Sequence, residues 1–527
     1  MQINYGRLLL QTAQQFSDKT ALVNVERQRS FTFKELHLLT NKISNMLRKR
    51  FGLRTGDVYG NLLENDNNSL FSLWMAKSDV SGLWFNYRDS YDEHFYQIDY
   101  LNPKLVFVEN EILEKENYYK SLRQRKIELV CMDNPTEKLE GVHYFWDLIE
   151  EASDAETDIE YDIDEHITLY RFTGGTTGRG KCAAYTLRNF LAGVNQIYGF
   201  HENLIDSEIR YLHITPMSHA SALFVLPVHF KGGTHYTINL PDLNHFSEVV
   251  QNYNITSTFV VPTLLYHLVD LGLEKKYDLS SLNLVFYGAS PMSPTKLENL
   301  HNKFGHIFVQ VYGATEAWPI VIMLGKSDHI VKNDKDRKRL SSTGKVVPGV
   351  EVRIVDDNGD DVTKGSNGEI WIRGACVIKG YYKAPEETAS SFTKEGFWKS
   401  GDMGYMDENA YIFLVDRKKD MIITGGFNVY AIEVENALNS HPAVQQSVVI
   451  GVPHESWGEA VHAEVILKNG SYVSEEELIH FTKNKIGKYK VPKSIHFVNE
   501  LPLSAVGKVL RRKVREKYWQ GLERKVH

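Results

Sequence analysis

The sequence predicts an α/β fold, with a large N-terminal domain and a small α+β C-terminal domain. Short apolar runs alternate with helical patterns through the first two thirds of the chain, which requires a mostly parallel sheet covered on both faces. Near Val350 this rhythm gives way to paired strand signals, and a separate strand-and-helix rhythm occupies the last part of the chain. At 527 residues the chain is also too long for a single core.

Taken in order, a short strand near Ser30 leads into a helix. Leu36, Leu39, Ile43 and Leu47 share one helical face, and Gly52 stops it. Residues 102–109 and 126–132 read as buried strands. So do 210–216, 257–262 and 282–290, each followed by a turn and a helical pattern. Residues 326–345 are charged and lack apolar period, which predicts a solvated loop. Residues 350–362 and 368–374 predict antiparallel strands joined by an Asn358-Gly359 turn. Helix 432–438, strands 446–452 and 463–467, and helix 474–486 would build the small domain. The expected division is 1–417 and 418–527.

The net charge of -7 gives no general attraction to nucleic acid. Cys131, Cys182 and Cys376 form no CxxC pair, so neither a disulfide framework nor a zinc site is expected. The N-terminus has no signal-like apolar stretch, and the most apolar windows, 222–228 and 259–265, fall far short of the roughly 20 residues that span a bilayer. A cytoplasmic protein is expected.

The chemistry lies in five motifs. Residues 171–181 set glycines, threonines and a lysine after a short strand, and such a loop turns backbone N–H groups and hydroxyls toward a phosphate. It nearly matches the P-loop pattern, but Cys182 cannot supply the hydroxyl that binds magnesium, which makes a P-loop NTPase the alternative outside the leading class. Tyr312-Gly313-Ala314-Thr315-Glu316 offers an aromatic face, a tight turn and a hard oxygen ligand. Ser400-Gly401-Asp402 places a carboxylate in a glycine turn. Residues 416–428 carry Arg417, Lys419, Gly425 and Gly426, and residues 502–508 end in Lys508.

In this order the five motifs resemble the adenylate-forming superfamily of acyl-CoA synthetases, adenylation domains and firefly-type luciferases, over nearly the whole chain. The resemblance implies layered sheets and helices with a small mobile C-terminal lid. It implies that Thr173, Thr176, Thr177, Gly178 and Lys181 wrap the ATP phosphates, although Gly174, Gly180 and Cys182 depart from the usual Ser, Pro and Gly. Gly288, Ala289 and Ser290, continued by Tyr312 and Gly313, match the adenine-binding segment. Thr315 matches the α-phosphate contact, Glu316 the Mg²⁺ ligand, Asp402 the ribose acceptor, and Arg417 a ribose and phosphate contact. Lys419 falls at the hinge, Lys508 matches the lysine of the adenylation step, and residues 424–428, with Gly425 and Gly426, would line a thiol channel.

The implied reaction is activation of a carboxylic acid by ATP to an acyl-AMP, then transfer to coenzyme A. Transfer to a carrier-protein phosphopantetheine is the alternative acceptor. His219 and Trp318 fall where the family lines its acyl pocket; each reads equally as core. The amino-acid-activating branch places an aspartate near His219, and no acidic residue occurs from Thr215 to Phe230, which argues against α-amino acids. Lys488, Lys490, Lys493, Lys508, Arg511, Arg512 and Lys513 form a basic stretch that either meets coenzyme A phosphates or an acidic carrier, or is a solvated face.

Overall fold

The first long helix shows how local sequence sets its own ends. Thr32 and Glu35 form a capping box at the start of helix Phe33–Asn45, Leu36, Leu39 and Ile43 face the core, and a π turn Met46–Arg50 ends at Gly52 with φ +66°. The computed structural model describes residues 1–173, 180–240, 242–290, 292–504 and 509–520.

Among the described residues the strands form five sheets. A seven-stranded sheet uses residues 58–186 and is parallel apart from the pairing of Ile167–Phe172 with Cys182–Thr186. A nine-stranded sheet has a parallel centre built from Phe308–Tyr312, Leu284–Gly288, Ser257–Val260, Arg210–His213, Thr234–Thr237 and Thr20–Asn24. A two-stranded ribbon joins Gln2–Ile3 to Tyr161–Asp162. The two large sheets share one core that includes Phe71, Trp74, Phe145, Phe190, Phe224 and Phe286. Burial of each such side chain contributes about 1.5–3 kcal/mol. Because the central strands of the nine-stranded sheet are parallel, their carboxyl ends share one edge, where ligands of open α/β sheets bind.

A four-stranded antiparallel sheet, residues 350–417, follows, and a five-stranded sheet begins at Ile422. The second has its own core of Ile422, Val434, Leu438, Val449, Val461 and Leu478. The fold is thus a large α/β domain followed by a smaller α+β domain.

Three local expectations need correction. Residues 326–345 are not a plain loop: they hold a 3-10 turn Ser327–His329 and a helix Asp334–Arg339, with His329 and Leu340 buried. Asn333 caps that helix and the Arg339 guanidinium holds the carbonyls of Asp328 and Ile330, and a helix this short shows no apolar period. The Asn358-Gly359 turn folds back onto its own strand, as Val355 pairs with Asp361, and a second turn at Thr363–Ser366 leads into Gly368–Gly374. In the smaller domain the two strands run longer than expected, Val444–His454 and Gly458–Leu467, the helix expected at 474–486 is shorter, Glu475–Lys483 with Ser474 as its cap, and a further helix follows at Arg511–Glu516. No helix among the described residues is long and apolar enough to cross a membrane.

Candidate active site

The glycine-rich loop leaves one strand and enters another. Phe172 pairs with Cys182, Thr173 N donates to Lys181 O at 2.9 Å, and Lys181 N donates to Thr173 Oγ1 at 3.1 Å, so both ends of the loop are pinned together. A Cβ at Gly180 would lie 2.3 Å from Thr173 O, so this closure requires glycine where the resemblance leads one to expect proline. Residues 174–179, with Thr176, Thr177 and Gly178, lie outside the described residues. A P-loop runs from strand to helix; here both flanks are strands of one hairpin and Cys182 is buried, which rules out that alternative. Lys181 is exposed, its ammonium 4.7 Å from the centre of the Tyr381 ring.

The second part is the turn after strand Phe308–Tyr312. A Cβ at Gly313 would lie 2.5 Å from Pro319 O, so the chain can double back there only with glycine. Two outside segments hold the turn, strand Cys182–Thr186 and the connection after strand Gly368–Gly374. Tyr185 OH donates to Thr315 O at 2.6 Å, Tyr381 OH donates to Glu316 Oε1 at 2.6 Å, and Trp318 N donates to Cys376 O at 3.0 Å. Burial, then the Glu316 carboxylate, holds the Tyr381 hydroxyl protonated far above the ordinary phenol range. Thr315 Oγ1 accepts from Arg171 Nη2 at 3.4 Å.

On the next parallel strand, Gly288 pairs with Val311, and a Cβ there would meet Val311 O at 2.2 Å. Ala289 follows at φ +68°, a strained position for a residue with a side chain, and carries the backbone toward Ser290. These strand ends lie beside Tyr312 and Gly313 as expected. Asp402 is buried, with Oδ2 accepting from Tyr312 OH at 2.6 Å and Oδ1 paired with Arg417 Nε at 3.0 Å. The Asp402 charge raises the Arg417 pKa. A carboxylate has about four lone-pair sites, so two remain for a ligand.

The structure thus brings Thr173, Lys181, Thr315, Glu316, Tyr312, Asp402 and Arg417 into one linked cluster, with Gly288 to Ser290 at the adjoining strand end. Trp318 is buried, with the Arg171 guanidinium 4.6 Å above its ring. His219 is half-buried at the start of the 3-10 turn Ala220–Phe224, its Nδ1 3.1 Å from Ser218 Oγ. Gly425 and Gly426 stand elsewhere, as the exposed two-residue turn of hairpin Ile422–Thr424/Phe427–Val429, both at positive φ. Burial, then Arg417, lowers the Lys419 pKa. Lys508 lies outside the described residues. The basic stretch is not one solvated face: Arg511 is half-buried against Asp416, Asp420 and Glu435, and Lys490 pairs with Glu433 at 2.6 Å. Tyr185 and Tyr381 were not legible as site residues, and Arg171 was legible only as the residue that opens the loop motif.

Glycine turns, a pinned loop and a buried carboxylate at the carboxyl edge of a parallel sheet define a nucleotide-binding α/β protein. The chain belongs to the AMP-binding enzyme family, which matches residues 9–382, and the family's C-terminal domain matches residues 433–508. It is 38% identical over 362 residues to a medium/long-chain-fatty-acid–CoA ligase, FadD8, of Mycobacterium tuberculosis, covering 67% of this chain and 62% of that protein. It is 30% identical over 519 residues to 4-coumarate–CoA ligase 2 of Petroselinum crispum, covering 96% of this chain and 92% of that one. The ATP-bound crystal structure of MatB from Rhodopseudomonas palustris matches with a TM-score of 0.87 at 26% identity, over 98% of this chain and 99% of that one. The protein is therefore an adenylate-forming enzyme in fold and family.

Proposed function

We propose that the protein joins a carboxylic acid to AMP at the expense of ATP, releases pyrophosphate, and transfers the acyl group to coenzyme A. The observation that carries this reading is the Tyr312–Trp318 turn, whose Thr315, Glu316 and Tyr312 are each fixed by a partner from a different strand or segment. A carboxylate oxygen attacks the α-phosphorus, and the bond to the β-phosphate oxygen breaks. Both reactants are anions, so the residues must hold them in line and offset their repulsion.

In this reading Asp402 accepts the ribose hydroxyls, Gly288 to Ser290 and Tyr312 flank the adenine, and Thr315 donates to the α-phosphate. Lys181, with Thr173, Thr176, Thr177 and Gly178, meets the outer phosphates, and Lys508 meets the reacting carboxylate. Glu316 fits a magnesium ion: one oxygen is engaged by Tyr381, and the other has no hydrogen-bond partner among the described residues. When bound, the ion would offset phosphate charge. The border at 417/418 and Lys419 serve as the hinge about which the smaller domain turns.

In the second step the thiol sulfur attacks the acyl carbon, AMP leaves with the electron pair, and the thiol loses its proton. Coenzyme A is favoured as acceptor by the smaller domain's exposed Phe427, Trp457 and Tyr489, set among Lys488, Lys490 and Lys493, with Lys493 Nζ 5.2 Å from the Trp457 ring centre. Aromatic faces beside ammonium groups suit a phosphorylated nucleotide. Fatty and aryl acids are the first candidates, since relatives carry those names.

A pyrophosphate-release screen over a panel of carboxylic acids, with ATP and Mg²⁺, tests this. Release that depends on the acid and is sustained only with coenzyme A is expected. A single burst unaffected by coenzyme A would contradict the acceptor, and no acid-dependent release would contradict the reading itself.

A further inference from the structure

Arg171 is the last residue but two before the glycine-rich loop, on strand Ile167–Phe172. Its side chain turns away from the seven-stranded sheet's outer core and reaches Thr315 and Trp318 in the turn that follows strand Phe308–Tyr312 of the nine-stranded sheet. It is 8% exposed, its Nε has no hydrogen-bond partner among the described residues, and no carboxylate there lies within ion-pair distance. Residues 174–179 contain no acid either. Glu316 acts on it only at a distance, its near oxygen being taken by Tyr381. Burial pulls the guanidinium pKa down, yet an arginine does not shed its proton in a protein.

A buried cation without a counter-ion is costly. Such a cost persists where an anion arrives with the ligand. We propose that Arg171 is the fixed counter-charge for the α-phosphate, acting through and beside the Thr315 hydroxyl in both half-reactions. The inference rests on the proposed function, in which Thr315 meets that phosphate. Because Arg171 stands on a core strand of the large domain, it stays in place when the smaller domain turns and carries Lys508 away. It therefore serves the second step as well, when the acyl carbon–oxygen bond breaks and AMP leaves with an added negative charge. Arg171 is a positioning residue, which holds the Thr315 hydroxyl and supplies charge behind it.

The test compares AMP and adenosine binding by calorimetry in wild type, Arg171→Gln and Arg171→Lys. Adenosine lacks the phosphate and reports on the rest of the site. Arg171→Gln is expected to bind AMP about tenfold more weakly with adenosine unchanged, and Arg171→Lys to recover part of the loss. Both single-turnover half-reactions should slow in Arg171→Gln, each by about a hundredfold. Equal loss for AMP and adenosine, or no loss for AMP, overturns the proposal. Unchanged AMP binding with loss of only dicarboxylic acids as substrates also overturns it, and moves Arg171 to the acid pocket. If Arg171→Gln does not fold, Arg171→Lys alone decides, with AMP weakened severalfold and adenosine not. A wild type that binds no AMP fails the functional reading itself, which is a different result from equal binding by wild type and variant.

Discussion

Two arginines, Arg171 buried and Arg511 half-buried, sit in opposite surroundings. Arg511, in the smaller domain, lies 2.7 Å from Glu435 and 3.5 Å from both Asp416 and Asp420, so three carboxylates surround one cation. These acids raise its pKa against the pull of burial. Arg171, at the site, has no carboxylate partner among the described residues, and burial lowers its pKa. The Arg511 cluster is electrostatically closed, whereas the site remains open toward negative charge. One arrangement is that of a structural joint and the other that of a place where an anionic ligand completes the structure.

The contrast is most sharply broken at Arg511. Arg511→Ala takes the paired cation from Asp416 and Glu435, while Asp420 keeps Arg515 at 2.7 Å, and should cost about 3–5 kcal/mol in urea unfolding. Arg171→Gln removes a cation that has no carboxylate partner among the described residues, and should cost much less; equal losses would erase the distinction. Next in size, Glu316→Gln should lower the rate of pyrophosphate release about a hundredfold while leaving unfolding unchanged, as expected of a group turned to ligand rather than to the core.

A third cation, the half-buried Lys296, sharpens the comparison. Lys296 packs over the Tyr266 ring, donates to the Gln445 carbonyl of the smaller domain, and is pushed down by burial to about 8. Unlike arginine it can lose its proton. Its folded pKa lies below the unfolded 10.5, so the charged form is a penalty fully present below about 8 and lost as pH rises toward 10.5. Stability should therefore rise by about 2 kcal/mol across that window, and Lys296→Met should flatten the rise. The smallest expected effect is at Tyr381→Phe, which removes one hydrogen bond to Glu316. It should lower kcat about tenfold with little change in Tm.

Much of the frame was legible because it depends on short-range rules. Strand and helix alternation foretold the parallel sheets, and Gly288 and Gly313 stand where backbone approach admits no Cβ. The helix Asp334–Arg339 was not legible, since six residues set no period. Tyr185, Tyr381 and the environment of Arg171 were hidden for another reason. They reach the Thr315-Glu316 turn from positions 130, 65 and 144 residues away, across two sheets whose strand order no local pattern encodes. The basic stretch misled in the same way, because the acids that pair with Arg511 lie 95, 91 and 76 residues earlier.

Acyl-adenylate formation is tested most directly with ATP labelled at the α-phosphate, one accepted carboxylic acid and Mg²⁺, with coenzyme A withheld and then added. The label should pass into an enzyme-bound acyl-AMP first and into free AMP only when the thiol arrives. Label found in ADP, or AMP formed at the same rate without any acid, would contradict it.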